Sequence, residues 1–274
     1  MRMPDKNPLV SVIMGVHGIR LPVHVLESAI QSVLNQTFSD FEFLICEEGS
    51  SLEIRKMLEN YAENDPRIQL VDGCGAFLLA QKLNRCTEAA RGHLIARQDA
   101  DDFSASNRFQ RQVDYLMEHP ECAFVGCNVN YRQNGKDAGI SHLPTTPQAK
   151  DFLFVQPFVH PTLIFRKEVL TKVGGYCEDA RCDGCEDYDL LLRIYIAGLH
   201  GDNLPDRCFS YTLPDRGVRK RTWVMRWNEV VTRMRLFKQL GWLPWALPYV
   251  VKPVAVGLIP TTWLDHIKQH QRER

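Results

Sequence analysis

The run "HLIARQDADD" (residues 93–102) is apolar at its start and acidic at its end, with Asp99, Asp101 and Asp102 crowded into four positions. Its first half reads as a strand covered on both faces, because the apolar residues are continuous rather than alternating. Upstream the same rhythm repeats. "LLAQKLNRCTEAARG" (78–92) is helical in spacing and closed by Gly92, "RIQLVDG" (67–73) is a strand, and "SLEIRKMLENYAEND" (51–65) is a helix. "FEFLICEE" (41–48), "VHVLESAIQSVLNQ" (23–36) and "LVSVIMGV" (9–16) continue it back to the first strand. Strand and helix alternating at this interval predict right-handed crossovers and a mostly parallel central sheet flanked by helices, an α/β fold. Downstream, "RFQRQVDYLMEHP" (108–120) is a helix, "CAFVGCNVNY" (122–131) a strand, "HPTLIFRKEVL" (160–170) a strand running into a helix, and "EDYDLLLRIYIAG" (186–198) a helix.

With 274 residues, 45% hydrophobic and 24% charged, the chain has enough apolar content for one large domain. Its net charge of zero hides an asymmetry: residues 216–274 carry 12 Lys/Arg against 3 Asp/Glu, so an acidic body bears a basic tail. Nine cysteines, an odd number, and a start that runs directly into a strand predict a reduced, cytosolic protein. The one long apolar stretch, "WLPWALPYVVKPVAVGLIPTTWL" (242–264), contains four prolines and Lys252, which suits a surface-lying segment better than a spanning helix.

On a parallel sheet, ligands bind beyond the carboxyl ends of the strands. Two of those ends are acidic here. Three carboxylates at one strand end repel one another unless a hard divalent cation, Mg²⁺ or Mn²⁺, shares them, and such an ion can hold a diphosphate. The plain alternative is a solvated acidic turn, which would prevail if the acids did not follow a buried strand. Glu47 and Glu48 end the second strand, where a carboxylate suits the imide N–H of a base such as uracil. His17, in "GVHGIR", is placed to stack on that base. The glycine pair in "DGCGAFL" (72–78) is not a dinucleotide fingerprint, because Leu78 occupies the third glycine position, so a Rossmann dehydrogenase is excluded.

The blocks "PLVSVIMGVHG", "SVLNQTFSDFEFLICEEGSS", "LNRCTEAARGHLIARQDADDFSASNRFQRQVDYL", "HPTLIFRKEVLTKVGGY" and "EDYDLLLRIYIAG" resemble, in order and spacing, the family 2 glycosyltransferases of the Rossmann-like GT-A fold, and among them the EpsE-type enzymes of exopolysaccharide synthesis. The resemblance spans roughly residues 8–215. It implies that Asp101 and Asp102 contact the sugar-nucleotide ribose and a metal, with Asp99 completing the motif. Glu48 would read the base, and Asp187 would be the general base toward an acceptor hydroxyl, with Glu186 and Asp189 as competitors. The implied cofactor is Mn²⁺ or Mg²⁺. The implied partners are a nucleotide-sugar donor, a UDP-sugar above others, and a lipid-linked or growing glycan acceptor. Two departures fall on base recognition: "GVHG" stands where the family has P-V-Y-N, and "EEGS" where it has DDGS. They keep open a catalytically degenerate interaction protein on the same fold.

The catalytic domain is expected over 1–215 and a basic, amphipathic helical tail over 216–274. From Arg216 to Lys238 there are eight Lys/Arg and one acid, followed by the Trp- and Pro-containing run. That combination suits the anionic inner leaflet of the cell membrane, with peripheral attachment on the cytoplasmic side. The alternative is a helical hairpin packed on the acidic body. Nucleic acid is not expected, because the aromatics lie apart from most of the basic residues. Cys177, Cys182 and Cys185 form C-x₄-C-x₂-C, half of a zinc knuckle without a second C-x-x-C, and the weight of that stretch falls on Asp187 instead.

Overall fold

The computed structural model describes residues 7–16, 21–213, 221–260 and 263–264. Parallel strands β1 (Val10–Val16), β2 (Phe41–Glu47), β3 (Ile68–Asp72) and β4 (Leu94–Arg97) are joined by helices α1 (Val23–Leu34), α2 (Leu52–Asn64) and α3 (Leu79–Ala89). The second half adds β5 (Phe103–Ser104), α4 (Arg108–Glu118), β6 (Phe124–Gln133), β7 (Lys136–Ile140), β8 (Ile164–Arg166), α5 (Lys167–Val173), α6 (Glu186–Ile196) and β9 (Gly201–Thr212). Two further helices, α7 (Trp223–Gln239) and α8 (Leu247–Leu258), follow. The strands run in the order β3-β2-β1-β4-β8-β6-β9-β5, with β7 pairing β6. Only β5, β7 and β8 run against their neighbours, so the sheet is mostly parallel as expected.

Successive strand residues point to opposite faces, and each face has its own core. Val12, Met14, Phe43, Ile45 and Ala96 meet α1, α2 and α4 through Leu26, Ile30, Leu58, Phe109 and Val113. Ile13, Leu44, Ile95 and Phe165 face the other side, against Leu83 of α3, Leu170 of α5 and Leu191 of α6. Leu236 and Phe237 of α7 and Val250 of α8 belong to this second core. The segment after 216 is thus packed on the body over α7 and α8. Ser51 caps α2, its hydroxyl accepting the Ile54 N–H at 3.3 Å.

Candidate active site

The β4 backbone is fully buried up to Arg97, and the turn begins at Gln98. One ligand oxygen from each of Asp99, Asp101 and Asp102 falls within 4.8 Å of the others. Asp102 is buried, its Oδ1 accepting the Thr212 N–H at 2.7 Å, while the Thr212 hydroxyl donates to the Asp101 carbonyl at 2.5 Å. The end of β9 therefore fixes the acidic turn from one side. From below, Gln98 Nε2 donates to the carbonyls of Asp99 (3.1 Å) and Asp102 (3.0 Å). Gln98 is itself held by Ser104 and by Arg108, a fully buried cation. Arg108 also donates to Gln112, Ser104 and the carbonyls of Arg97 and Pro161, and burial lowers its pKa to about 10. Buried Arg97 pairs with Asp99. The pairing balances one charge of the cluster and favours Asp101 and Asp102 as the pair for a cation. Hard carboxylate oxygens gathered at this spacing fit Mg²⁺ or Mn²⁺.

On the other side of β1, β2 ends at Glu47 and Glu48 follows it. Glu47 serves the local loop, accepting the Ser50 N–H at 2.6 Å and pairing with Arg55 at 3.2 Å. Glu48 instead reaches across to the loop after β3, where its Oε2 accepts the Gly75 N–H at 3.3 Å. A Cβ at Gly73 would come within 2.8 Å of that oxygen, so the glycine pair that is no dinucleotide fingerprint leaves room for Glu48 there. Lys82, on the buried face of α3, joins β1 to β2 by donating to the carbonyls of Val16 (2.6 Å) and Glu48 (2.9 Å). Burial pulls its pKa down against the opposing charge of Glu47 and Glu48. His17, expected to stack on the base, lies outside the described residues.

Asp187 is half-buried in the first turn of α6. Its Oδ2 accepts from Gln156 Nε2 at 3.0 Å and its Oδ1 from the Tyr188 N–H at 2.7 Å. Burial raises its pKa, while the Arg221 charge, the Tyr188 N–H and Gln156 pull it back. Burial, followed by the Asp187 charge, raises neighbouring Glu186 to about 7, and its Oε2 is buried without a hydrogen-bond partner among the described residues. Asp189 is withdrawn from the contest for the base: it is fully buried between Arg193, at 2.7 Å, and Arg235. The preceding loop is pinned by Asn84, which exchanges hydrogen bonds with the Tyr176 backbone (2.8 Å each way) and donates to Glu178. Cys185 turns away toward Thr232, and the Asp189 near Cys177 and Cys182 is already occupied by its arginines, so the three thiols do not converge as a zinc site.

The two acidic groups both bear on one side chain. Tyr211 on β9 is driven to a higher pKa by burial and then by Asp102, Asp99, Asp101 and Asp187 together. Glu48 lies on the same rim of the sheet as the Asp99–Asp102 turn because β2 and β4 flank β1 in parallel. Sequence reading missed Gln156, which sits in a loop with no periodicity, and Arg97, Arg108 and Lys82, whose charges look like surface residues until burial is known. The basic segment also supplies Arg221, beside Asp187 and paired with Glu229.

A parallel sheet with acids at the carboxyl ends of β2 and β4 and a further acid on α6 is the GT-A architecture of glycosyltransferases. The mannosyltransferase PcManGT from Pyrobaculum calidifontis, solved in complex with GDP-Man and Mn²⁺, shares the fold with a TM-score of 0.59 and 20% identity, over 95% of this chain and 79% of that one. The chain belongs to glycosyl transferase family 2, whose sequence profile matches residues 11–174. It is 27% identical to the putative glycosyltransferase EpsE of Bacillus subtilis, over 95% of this chain and 93% of that protein. It is 33% identical to the O-antigen biosynthesis glycosyltransferase WbnJ of Escherichia coli, over 77% of this chain and 82% of the relative. A third relative, at 24% identity over 97% of both chains, is the Escherichia coli UDP-Gal:alpha-D-GlcNAc-diphosphoundecaprenol beta-1,3-galactosyltransferase.

Proposed function

We propose that the protein is a metal-dependent, inverting glycosyltransferase. It moves a sugar from a nucleotide-diphosphate donor, a UDP-sugar above others, to a lipid-linked or growing glycan in exopolysaccharide, capsule or lipopolysaccharide synthesis. The observation that carries this reading is the half-buried Asp187, its two oxygens fixed by Gln156 and the Tyr188 N–H, together with the carboxylate cluster of Asp99, Asp101 and Asp102.

An acceptor alcohol is far too weakly acidic to ionise at neutral pH, so in-line attack needs a carboxylate to take its proton as the new bond forms. Asp187 fills that role. Gln156 and the Tyr188 N–H fix its two oxygens, and its raised pKa makes it a stronger base than a solvated aspartate. Glu48 reads the base from its seat on the Gly73–Gly75 loop. A divalent cation, Mn²⁺ or Mg²⁺, would be held by Asp101 and Asp102 and would neutralise the charge that builds on the departing nucleoside diphosphate. The names of the relatives support the donor and acceptor classes: GDP-Man in PcManGT, and a UDP-sugar with a diphosphoundecaprenol acceptor in the galactosyltransferase. The membrane-borne acceptor agrees with a peripheral location on the inner leaflet.

Calorimetry with UDP, GDP and dTDP, with and without Mn²⁺, tests the reading. At least one diphosphate should bind in a Mn²⁺-dependent way, and Asp102→Ala should remove that dependence. A chain that binds none of them is the degenerate interaction protein instead.

A further inference from the structure

The exposed faces of α7 and α8 are unlike an ordinary protein surface. On α7 the solvent-facing positions are Trp223, Val224, Trp227, Val231 and Met234, followed toward the C-terminus by Arg235 and Lys238. On α8 they are Leu247, Pro248, Val251, Ala255 and Leu258, with Trp245 just before. Trp227 is 62% exposed, Val251 53% and Leu258 73%. Neither face carries an acid, since Glu229, the only one on either helix, is buried. The helices form one antiparallel unit: Arg226 near the start of α7 donates to the Pro253 carbonyl of α8 at 2.9 Å, and Gly257 is packed so closely on Trp223 that a Cβ would lie 2.9 Å from its ring. Exposed apolar side chains in this number on two packed helices mark a binding surface.

The face reaches the active-site rim. Phe154 and Val155 are more than half exposed, and the Phe154 ring lies 5.1 Å from Tyr249 of α8, with Lys252 donating to its carbonyl. The next residue, Gln156, holds Asp187.

We infer that the α7–α8 face, extended by Phe154 and Val155, docks on a bilayer bearing anionic headgroups and presents the Asp187 rim to acceptors held in that bilayer. A lipid surface is favoured over a protein partner because the segment from 216 onward carries 12 Lys/Arg against 3 Asp/Glu and neither exposed helix face has an acid of its own, although Arg221 and Arg233 are taken up by Glu229 and Arg235 by Asp189. The face lies on the bilayer rather than crossing it: among the described residues no helix is long and apolar enough to span. The inference rests on the transferase reading only for what the docked rim is used for.

Flotation of the full chain tests it, using vesicles of phosphatidylcholine alone and of equal parts phosphatidylcholine and phosphatidylglycerol. The chain should float with the mixed vesicles and less with the neutral ones. Trp227→Glu and Val251→Asp, both at exposed positions, should each weaken binding about tenfold or more while Mn²⁺-dependent nucleotide binding stays unchanged. A wild-type chain that does not float, or variants that float equally well, would overturn the docking face. So would a dimer in light scattering that the same substitutions dissolve, since a second copy would then be the occupant. Loss of nucleotide binding in the wild type would instead remove the transferase reading and leave the flotation result standing.

Discussion

Asp187 and Glu186 are adjacent in sequence but face different environments, and the proposed role of base goes to Asp187 on that difference. Asp187 has Gln156 and the Tyr188 N–H on its oxygens, whereas Glu186 Oε2 is buried without a partner among the described residues. Gln156→Leu should raise the Asp187 pKa further, because it removes a donor that favours the charged form. The acid limb of the pH–rate profile should move to higher pH, and kcat at pH 7 should fall roughly tenfold, the worth of a hydrogen bond to a charged group. Glu186 titrates at about 7 against an ordinary 4.5, raised by burial, Asp187 and Asp183 and opposed by Arg97. The folded state therefore holds this proton more tightly than the unfolded chain. The stabilisation is complete below about pH 4.5 and is lost as pH rises through 7. Glu186→Gln should accordingly stabilise the protein by on the order of 1–3 kcal/mol at pH 8 and do little at pH 4, as read from melting curves at the two pH values. The acids at 186–189 were legible as a group in the sequence. Choosing among them needed the arginines around Asp189 and the side chain of Gln156, which lies 31 residues before Asp187.

The turn after β4 depends on a residue of α4 that supports it from below through Gln98 and Ser104. Arg108 of α4 gathers Gln98, Ser104, Gln112 and the carbonyls of Arg97 and Pro161 around one buried guanidinium. Arg108→Met should cost about 3 kcal/mol, because several buried acceptors lose their donor at once, and should weaken Mn²⁺-dependent diphosphate binding as the Asp99–Asp102 backbone loosens. Thermal unfolding and calorimetry read the two effects separately. Arg108→Lys should not restore binding, since one ammonium lacks the fork that reaches these acceptors. Helices and parallel strands were legible because continuous apolar runs and helical spacing repeat through residue 102. Of the later strands, β6 and β8 were legible from their apolar runs, whereas β5, β7 and β9 were not. β9 holds Pro205 and a register shift opposite Cys127–Val129, which breaks the alternation a strand shows. The hairpin into β7 did carry a signal, Asn134-Gly135 with both residues at positive φ, and the reading passed over it.

Across the whole molecule, the charge asymmetry proves partly structural. Arg235 crosses to Asp189, and Arg233 pairs with Glu229 while donating to the carbonyls of Phe152 and Leu153. The apolar content of 242–264 fits a lipid surface and a protein core equally well, so sequence alone could not divide it. The structure sends Ala246 and Val250 inward and Trp245, Val251 and Leu258 outward. Leu236→Ala should cost about 2–5 kcal/mol in denaturant unfolding, like any large-to-small change in a core, whereas Trp227→Glu should leave stability nearly unchanged. Both outcomes follow from α7 being part of the body on one side and a free face on the other. The central claim is that Asp187 is the base of a sugar transfer at the Asp101–Asp102 rim. Its most direct test is nucleoside diphosphate release from UDP-, GDP- and dTDP-sugars with Mn²⁺ and a lipid-linked acceptor, comparing wild type with Asp187→Asn. The account predicts transfer from at least one donor by the wild type and a loss of about a hundredfold or more in the variant, with donor binding intact. Full activity in Asp187→Asn would contradict it.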